Sequence, residues 1–252
     1  MKTVIITGAS SGLGREYFIE AAKIFPNAEF WLIARRVDKL EETAAAVPEA
    51  KVRIIECDLA STEGLKAFEA SLAALKPEIE LFVNNAGFGK LGYVAETDAY
   101  IQRAMVSLNC GTLTALSAMC AGYMQKGGSI INVASIASFV PNPRMTVYSS
   151  TKAYVLAFSK GLREELKKSG VNVLAVCPGP MHTEFMDVAH ITDENSKTFR
   201  TLPYCDAKTV AKVSIRKAMN GKAVYTNKFL YKFYRVLAKL APHNLMMKFT
   251  KC

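Results

Sequence analysis

Six short runs of β-branched and aromatic residues, each separated from the next by a stretch of helix length, constrain this chain more than any other feature. They are Thr3 to Thr7, Glu29 to Ala34, Lys51 to Cys57, Glu80 to Asn84, Ser129 to Ala134 and Val171 to Cys177. Strand-length segments alternating with helix-length ones specify βαβ units, and βαβ units specify a parallel sheet. The strand cores, such as Val4-Ile5-Ile6 and Phe30-Trp31-Leu32-Ile33, are apolar without alternation, as expected when helices cover both faces. The expected fold is therefore α/β, a doubly wound parallel β-sheet flanked by helices. A length of 252 residues suits one such domain and is short for two separate cores. With half the residues apolar and 21% charged, a full core can be buried, which excludes wholesale disorder.

The formal charge of +10 would suggest nucleic acid or an anionic surface if it were spread over the molecule. It is not spread. After Asp206 the chain carries 11 Lys or Arg and no Asp or Glu, while residues 1 to 206 hold 21 basic against 22 acidic residues. A neutral body with a basic end argues against nucleic acid as a partner. Cys57, Cys110, Cys120, Cys177, Cys205 and Cys252 lie far apart with no C-x-x-C pair, and only three histidines accompany them. They read as free thiols in a reducing compartment, with no metal site expected. The first strand reaches Gly8 after three apolar residues, too few for a secretory h-region, so a cytoplasmic location is expected. Ala104 to Gln125 is uncharged, but Asn109, Thr112 and Ser117 suit a helix packed inside a protein better than one in lipid.

Ligands of doubly wound sheets bind beyond the carboxyl ends of the strands, so the residues after each run carry the functional information. Gly8-Ala9-Ser10-Ser11-Gly12-Leu13-Gly14 follows the first strand and opens a helix, the setting in which free N–H groups and the helix dipole receive a pyrophosphate. The acid that usually accepts ribose hydroxyls about 20 residues further on is missing. Ala34 stands there, followed by Arg35 and Arg36, two guanidiniums placed for a 2′-phosphate, unless Arg36 pairs with a nearby acid such as Asp38 or Glu41. Tyr148 and Lys152 are spaced i, i+4 on one helix face, where an ammonium can lower the pKa of a phenol by roughly 1 to 3 units. His182 reads as a polar surface group of its loop, and Cys177 as a small buried hydrophobe.

Taken together, Thr7-Gly8-x-x-x-Gly12-x-Gly14, Asn84-Asn85-Ala86-Gly87, Asn109, Ser135, Tyr148-x-x-x-Lys152 and Pro178-Gly179 resemble the motifs of the short-chain dehydrogenase/reductase family, in order and spacing, over about residues 1 to 220. The resemblance implies a Rossmann-like fold and an NADP(H)-dependent oxidoreductase interconverting a carbonyl and an alcohol. Tyr148 would be the acid/base, Lys152 would tune it and hold the nicotinamide ribose, Ser135 would bind the substrate oxygen, and Asn109 would anchor a water leading to Lys152. Gly8, Ser10, Ser11, Gly12, Leu13 and Gly14 would line the pyrophosphate, and Arg35 and Arg36 the 2′-phosphate. Asp58 and Leu59 would meet the adenine, Asn85, Ala86 and Gly87 would run along the adenosine side, and Pro178, Gly179 and Thr183 would sit beside the nicotinamide. The family often shows Pro-Gly-x-Val or Ile-x-Thr, whereas this chain reads Pro178-Gly179-Pro180-Met181-His182-Thr183. A homodimer or homotetramer is expected by analogy.

Phe88, Leu91, Tyr93, Phe139, Val140 and Met145 offer an apolar wall suited to a lipophilic carbonyl such as a hydroxysteroid or 3-oxoacyl chain. The loop from Pro180 to about Tyr204, with Asp187, His190, Asp193, Glu194 and Lys197, reads as polar, either a lid or an ordinary solvated loop. The chain divides into a nucleotide-binding domain over 1–221 and a basic amphipathic extension over 222–252. In the extension Lys228, Lys232, Arg235 and Lys239 fall on one helix face, and Phe229, Leu230, Phe233, Leu237 and Leu240 on another. Pro242 breaks that helix, and Leu245, Met246, Met247 and Phe249 continue the apolar character. Such a segment packs on the domain or a second subunit, or lies peripherally on a membrane. A silent NADP(H)-binding regulator is the rival to an enzyme; intact Asn109, Ser135, Tyr148 and Lys152 count against it.

Overall fold

The computed structural model describes residues 1–192, 194–248, 250 and 252. Strands β1 (Lys2–Thr7), β2 (Glu29–Ala34), β3 (Lys51–Glu56), β4 (Glu78–Asn84), β5 (Met124–Val133), β6 (Asn172–Val176) and β7 (Val224–Tyr225) form one sheet. Their order is β3-β2-β1-β4-β5-β6-β7, with every neighbouring pair parallel. The chain winds outward from β1 to β3, returns to β4 on the other side of β1, and winds outward again. That reversal leaves a crevice between the carboxyl ends of β1 and β4. The Rossmann-like expectation is borne out. β4 and β5 begin earlier than expected, and β7 was not anticipated at all. Two residues carry no periodicity, and this strand exists because Ala175 N donates to Ala223 O and Cys177 N to Tyr225 O across the sheet.

Burial explains the unbroken apolar runs. Val4 and Ile6 of β1 pack with Phe30, Leu32, Leu81 and Val83 on one face, whereas Ile5 packs with Trp31, Ile33 and Phe82 on the other. The first face is covered by α1 (Gly12–Ile24), α2 (Val37–Ala45) and, further along the chain, the helix at Ala207–Met219; α3 (Thr62–Leu75) helps to cover the second. α4 (Ala99–Val106), a π-helical turn (Ser107–Thr112) and α5 (Leu113–Ala121) make one helical run. By length and composition that run could cross a membrane, but it packs on the sheet along one side, with Leu116 and Cys120 in the core. Thr112 donates to Leu59 O at 2.7 Å, and Asn84 of β4 donates to Leu113 O at 2.9 Å. The long α6 (Thr146–Leu166) lies beside it, followed by α7 (Glu184–Val188), α8 (Lys197–Thr201) and α9 (Ala207–Met219). The six cysteines are free thiols.

Of the alternatives open for the C-terminal segment, the structure shows packing on the domain, through a stripe other than the apolar one. α10 (Phe229–Leu240) does not turn its apolar face to the body; it buries Tyr231 and Ala238 instead. Tyr231 packs against Gly179, where a Cβ would overlap its ring, and its hydroxyl donates to Pro203 O at 2.8 Å. Tyr234 lies 5.9 Å from Phe139, centroid to centroid. After Pro242, α11 (His243–Met246) seats Met246 in the cluster that holds Phe139 and Val140. Cys252 returns to the body, its N–H donating to Pro143 O at 3.2 Å. Phe249 and Asp193, both named above, lie outside the described residues, as does the Lys197 side chain.

Gly14 fixes the seat of α1. A Cβ there would overlap the Gly8 carbonyl oxygen, so only hydrogen lets the helix approach the turn this closely. Gly14→Ala is expected to cost about 2 kcal/mol through overpacking, a fall of roughly 4–8 °C in the thermal midpoint. An unchanged midpoint by differential scanning fluorimetry would refute this reading of the turn.

Candidate active site

A cavity of about 720 Å³ opens at the carboxyl ends of the strands. Gly8 and Gly12 adopt positive φ (65° and 51°), which turns the chain sharply out of β1 into α1. The Ser11 side chain makes no capping hydrogen bond at the start of α1, which leaves the first-turn N–H groups facing the cavity for a ligand. Gly8, Ser10, Ser11, Gly12 and Leu13 all line the cavity, while Gly14 stays behind them as a packing residue. Thr7 ties this turn to β4. Its Oγ1 accepts from Asn85 N and Ala86 N, both at 3.0 Å, and the Asn85 amide donates back to Thr7 O at 3.0 Å. Asn85, Ala86 and Gly87 form the adjoining wall.

At one end Ser135, Tyr148 and Lys152 converge on the same cavity. Ser135 follows β5, and its hydroxyl accepts from Ala137 N at 3.1 Å. Lys152 is only 6% exposed and donates to Val133 O at 2.8 Å. Burial lowers its pKa to about 8, against smaller opposite effects of the nearby Cys110 and Cys177 thiols. Its ammonium lies 5.7 Å from the Tyr148 ring centroid. The expected lowering of the phenol's pKa does not win here. Burial pushes Tyr148 up to about 12, with its hydrogen bond to Ser135 pulling the other way. Desolvation of the phenolate outweighs the Ser135 hydrogen bond, and at neutral pH the phenol keeps its proton.

Asn109 stands behind this constellation and does not line the cavity. It is fully buried in the π-helical turn, where Oδ1 accepts from Phe88 N at 3.0 Å and Nδ2 donates to Phe88 O at 2.8 Å and Thr151 Oγ1 at 3.1 Å. It locks the loop that leaves β4 to the helix that carries Tyr148 and Lys152. Pro178 O accepts from Ile136 N at 3.0 Å, so the Pro178-Gly179 wall is tied to the turn after Ser135. Thr183 lines the cavity as the residue before α7, beside Gly12.

At the other end Arg35, Arg36 and Leu59 line the cavity. Arg36 is paired, but with neither Asp38 nor Glu41: its Nη2 lies 2.6 Å from Glu184 Oε2 across the cleft. The Arg36 guanidinium holds the Glu184 carboxyl below the usual carboxylate range. Glu184 carried no sequence signal beyond following Thr183. Asp58 does not line the cavity; it is exposed beside Leu59, and its carboxylate accepts from Ala60 N at 3.1 Å.

The apolar wall is only partly the one expected. Phe88 and Met145 line the cavity, but Phe139 and Val140 are buried beneath the C-terminal segment, Leu91 packs with Met105, and Tyr93 faces Arg144 at the surface. The loop expected to be polar replaces them with Phe185, Met186, Val188, Phe199 and Leu202. Phe185 lies 5.4 Å from the Tyr148 ring. Phe185 and Met186 of α7 and Phe199 of α8 turn toward the cavity while Asp187 stays exposed, a division that alternating composition hides. Cys252 also borders the cavity, a placement no local pattern signals. His182 is an exposed group stacked on Tyr204 at 3.8 Å, and burial raises the Cys177 thiol to about 11, the behaviour of a small core residue.

An uncapped helix start, a glycine turn, two guanidiniums at one end and a buried lysine with a phenol at the other fit a nicotinamide dinucleotide. Fold and site together define a dinucleotide-dependent α/β oxidoreductase, and comparison with known proteins narrows the class. A family model described as short chain dehydrogenase matches residues 2–194. The very-long-chain 3-oxoacyl-CoA reductase-B of Danio rerio is 33% identical over 189 residues, 70% of this chain and 58% of that protein. The short-chain dehydrogenase from Sphingobium yanoikuyae in complex with NADPH superposes with a TM-score of 0.82 at 28% identity, covering 98% of this chain and 95% of its own. The bulky-bulky ketone specific alcohol dehydrogenase from Comamonas testosteroni gives 0.78 at 27%, covering 98% and 94%. This chain belongs to the short-chain dehydrogenase family and is an oxidoreductase of that family.

Removing the Asn109 side chain leaves Phe88 N–H, Phe88 C=O and Thr151 Oγ1 each short of a partner. Asn109→Ala is therefore expected to cost about 3 kcal/mol, or roughly 6–12 °C in thermal midpoint. A midpoint within about 2 °C of wild type would mean that the turn is held by something else.

Proposed function

We propose that the protein is an NADP(H)-dependent reductase and alcohol dehydrogenase that interconverts a hydrophobic ketone and its secondary alcohol. The observation that carries this reading is the single cavity with Arg35 and Arg36 at one end and Ser135, Tyr148 and Lys152 at the other. When bound, the nicotinamide supplies a hydride to the substrate's carbonyl carbon, or takes one back from the alcohol. Ser135 holds the substrate oxygen, and Tyr148 gives that oxygen its proton in reduction and removes it in oxidation. The Lys152 ammonium holds the nicotinamide ribose and returns a proton toward the phenol, with Asn109 keeping the two helix segments in register. Gly8 through Gly14 and Asn85 to Gly87 receive the pyrophosphate and adenosine, Leu59 the adenine, and Thr183 with Pro178-Gly179 the carboxamide side. The guanidiniums support NADP(H) over NAD(H), and the NADPH complex of the Sphingobium relative agrees.

Phe88, Met145, Phe185, Met186 and Phe199 support a lipophilic substrate, a hydroxysteroid, a 3-oxoacyl chain or another bulky ketone. The Danio rerio and Comamonas testosteroni relatives are named for such ketones. A homodimer or homotetramer is supported by Tyr100, Ile101, Val106 and Tyr154, exposed on the neighbouring α4 and α6. Six free thiols support the cytoplasm. We keep the division into a domain over 1–221 and an extension over 222–252, the extension lending the sheet its edge strand.

The test is loss of NADPH absorbance across steroid ketones, 3-oxoacyl esters, quinones and small aldehydes, with NADH and Tyr148→Phe as controls. Turnover preferring NADPH and lowered about 10²–10⁴-fold in Tyr148→Phe is expected. Cofactor binding without turnover on any class would favour a silent regulator, and NADH preference would overturn the role given to Arg35 and Arg36.

The pKa values set the pH dependence. Below about pH 8 both Lys152 and Tyr148 are protonated, so reductive kcat/KM is flat. Above it Lys152 loses its charge while Tyr148, near 12, keeps its proton, so the rate falls by one proton's titration. Lys152→Arg, which stays charged, should lower the rate but remove that fall. A wild-type decline beginning well below the value near 8 would contradict the assignment.

A further inference from the structure

α10 presents three stripes at helical spacing, and only one of them faces the protein. Tyr231 and Ala238 are buried. On the opposite side Phe229, Phe233, Val236 and Leu240 recur at i, i+4, i+7 and i+11 and are exposed, Phe229 by 84% and Leu240 by 79%. Leu230 and Leu237 widen this apolar strip, and both are exposed. Lys228, Lys232, Arg235 and Lys239 run one position earlier along the whole strip, so a basic edge borders the apolar face. A contiguous apolar surface of this kind marks a docking site.

We propose that this face of α10 docks the protein on an anionic lipid surface, with the apolar strip in the headgroup and acyl boundary and the lysine edge among the phosphates. Charge complementarity decides among the occupants. The sequence after Asp206 has 11 basic residues and no acid, so any partner of this segment gains by being negatively charged. A second copy docking through the same helix would bring the same basic edge, with no Asp or Glu in its own residues 207 to 252 to neutralise it. The body does not cover it, because Tyr231 is wedged between Gly179 and Pro203 and fixes the rotation of the helix with the strip outward. Gly179 lines the cavity, so the docked helix would rest on the wall of the active site. The inference does not depend on the reaction proposed above, since vesicle binding is read without turnover.

The full-length protein is sedimented with vesicles of phosphatidylcholine alone and of phosphatidylcholine with about a third phosphatidylglycerol, at about 0.1 M and about 1 M salt. Binding to the anionic vesicles is expected at low salt, weakened at high salt and on neutral vesicles. The triple variant Phe229→Ser, Phe233→Ser, Leu240→Ser and the reversal Lys228→Glu, Lys232→Glu, Lys239→Glu should each lower partitioning at least about tenfold. All six side chains are exposed, so both variants should keep the wild-type thermal midpoint. No sedimentation of the wild type with anionic vesicles would overturn the proposal, as would binding that the serine variant leaves intact. A mass by light scattering that drops in the serine variant, without vesicle binding by the wild type, would assign the face to a second copy instead.

Discussion

The junction of Thr7 with Asn85 is the contact on which the rest of the structure depends. It joins the ends of β1 and β4, the two strands between which the winding of the sheet reverses. A reversal leaves a gap because the connections on either side depart in opposite directions, and backbone N–H groups at its edges need partners. Thr7 Oγ1 supplies them for Asn85 and Ala86, and the Asn85 amide closes on Thr7 O and Gly8 O. The glycine turn is thereby held open toward solvent on one side and rigid on the other. Gly14 then sets α1 against that turn at a distance no side chain permits.

The chemical end of the cavity is governed by burial more than by pairing. A phenol and an ammonium four residues apart suggest mutual stabilisation of their charged forms, yet each is driven toward its neutral form by loss of water. Lys152 spends its hydrogen bond on Val133 O, at the end of β5, which orients it without neutralising it. A phenol kept protonated beside a lysine whose pKa is lowered to about 8 is the pair to which the proposed reaction assigns its proton transfer. Asn109 belongs to the same arrangement from behind. The π-helical turn at Ser107–Thr112 brings its amide to Phe88 and Thr151 together.

Legibility in the sequence followed the range of the interaction. Strands with several apolar residues, the glycine turn and the Tyr148–Lys152 spacing are local patterns, and all were readable. β7 was not, because two residues become a strand only through β6. The partition of the apolar residues also escaped: Phe88 and Phe139 look alike in sequence, but one lines the cavity and the other lies under Tyr234. Helical periodicity showed that α10 has an apolar side and could not show which side meets the protein. That was decided by Tyr231, which finds a carbonyl at Pro203 and a missing side chain at Gly179.

The pairing of Arg36 with Glu184 shows how a cleft can be bridged without being shut. The two residues are 148 positions apart, and their side chains are 47% and 45% exposed. An ion pair so open to water contributes about 0–1 kcal/mol, less than a guanidinium gains from a phosphate dianion in bidentate geometry. Arg36 is therefore held in place by a partner that it can leave. Glu184 begins α7, whose next residue is Phe185 against Tyr148. A charge contact at the Arg35–Arg36 end of the cavity and an apolar contact at the Tyr148 end thus sit on adjacent residues of one short helix. The two ends of the cavity share one structural element, which begins directly after Thr183.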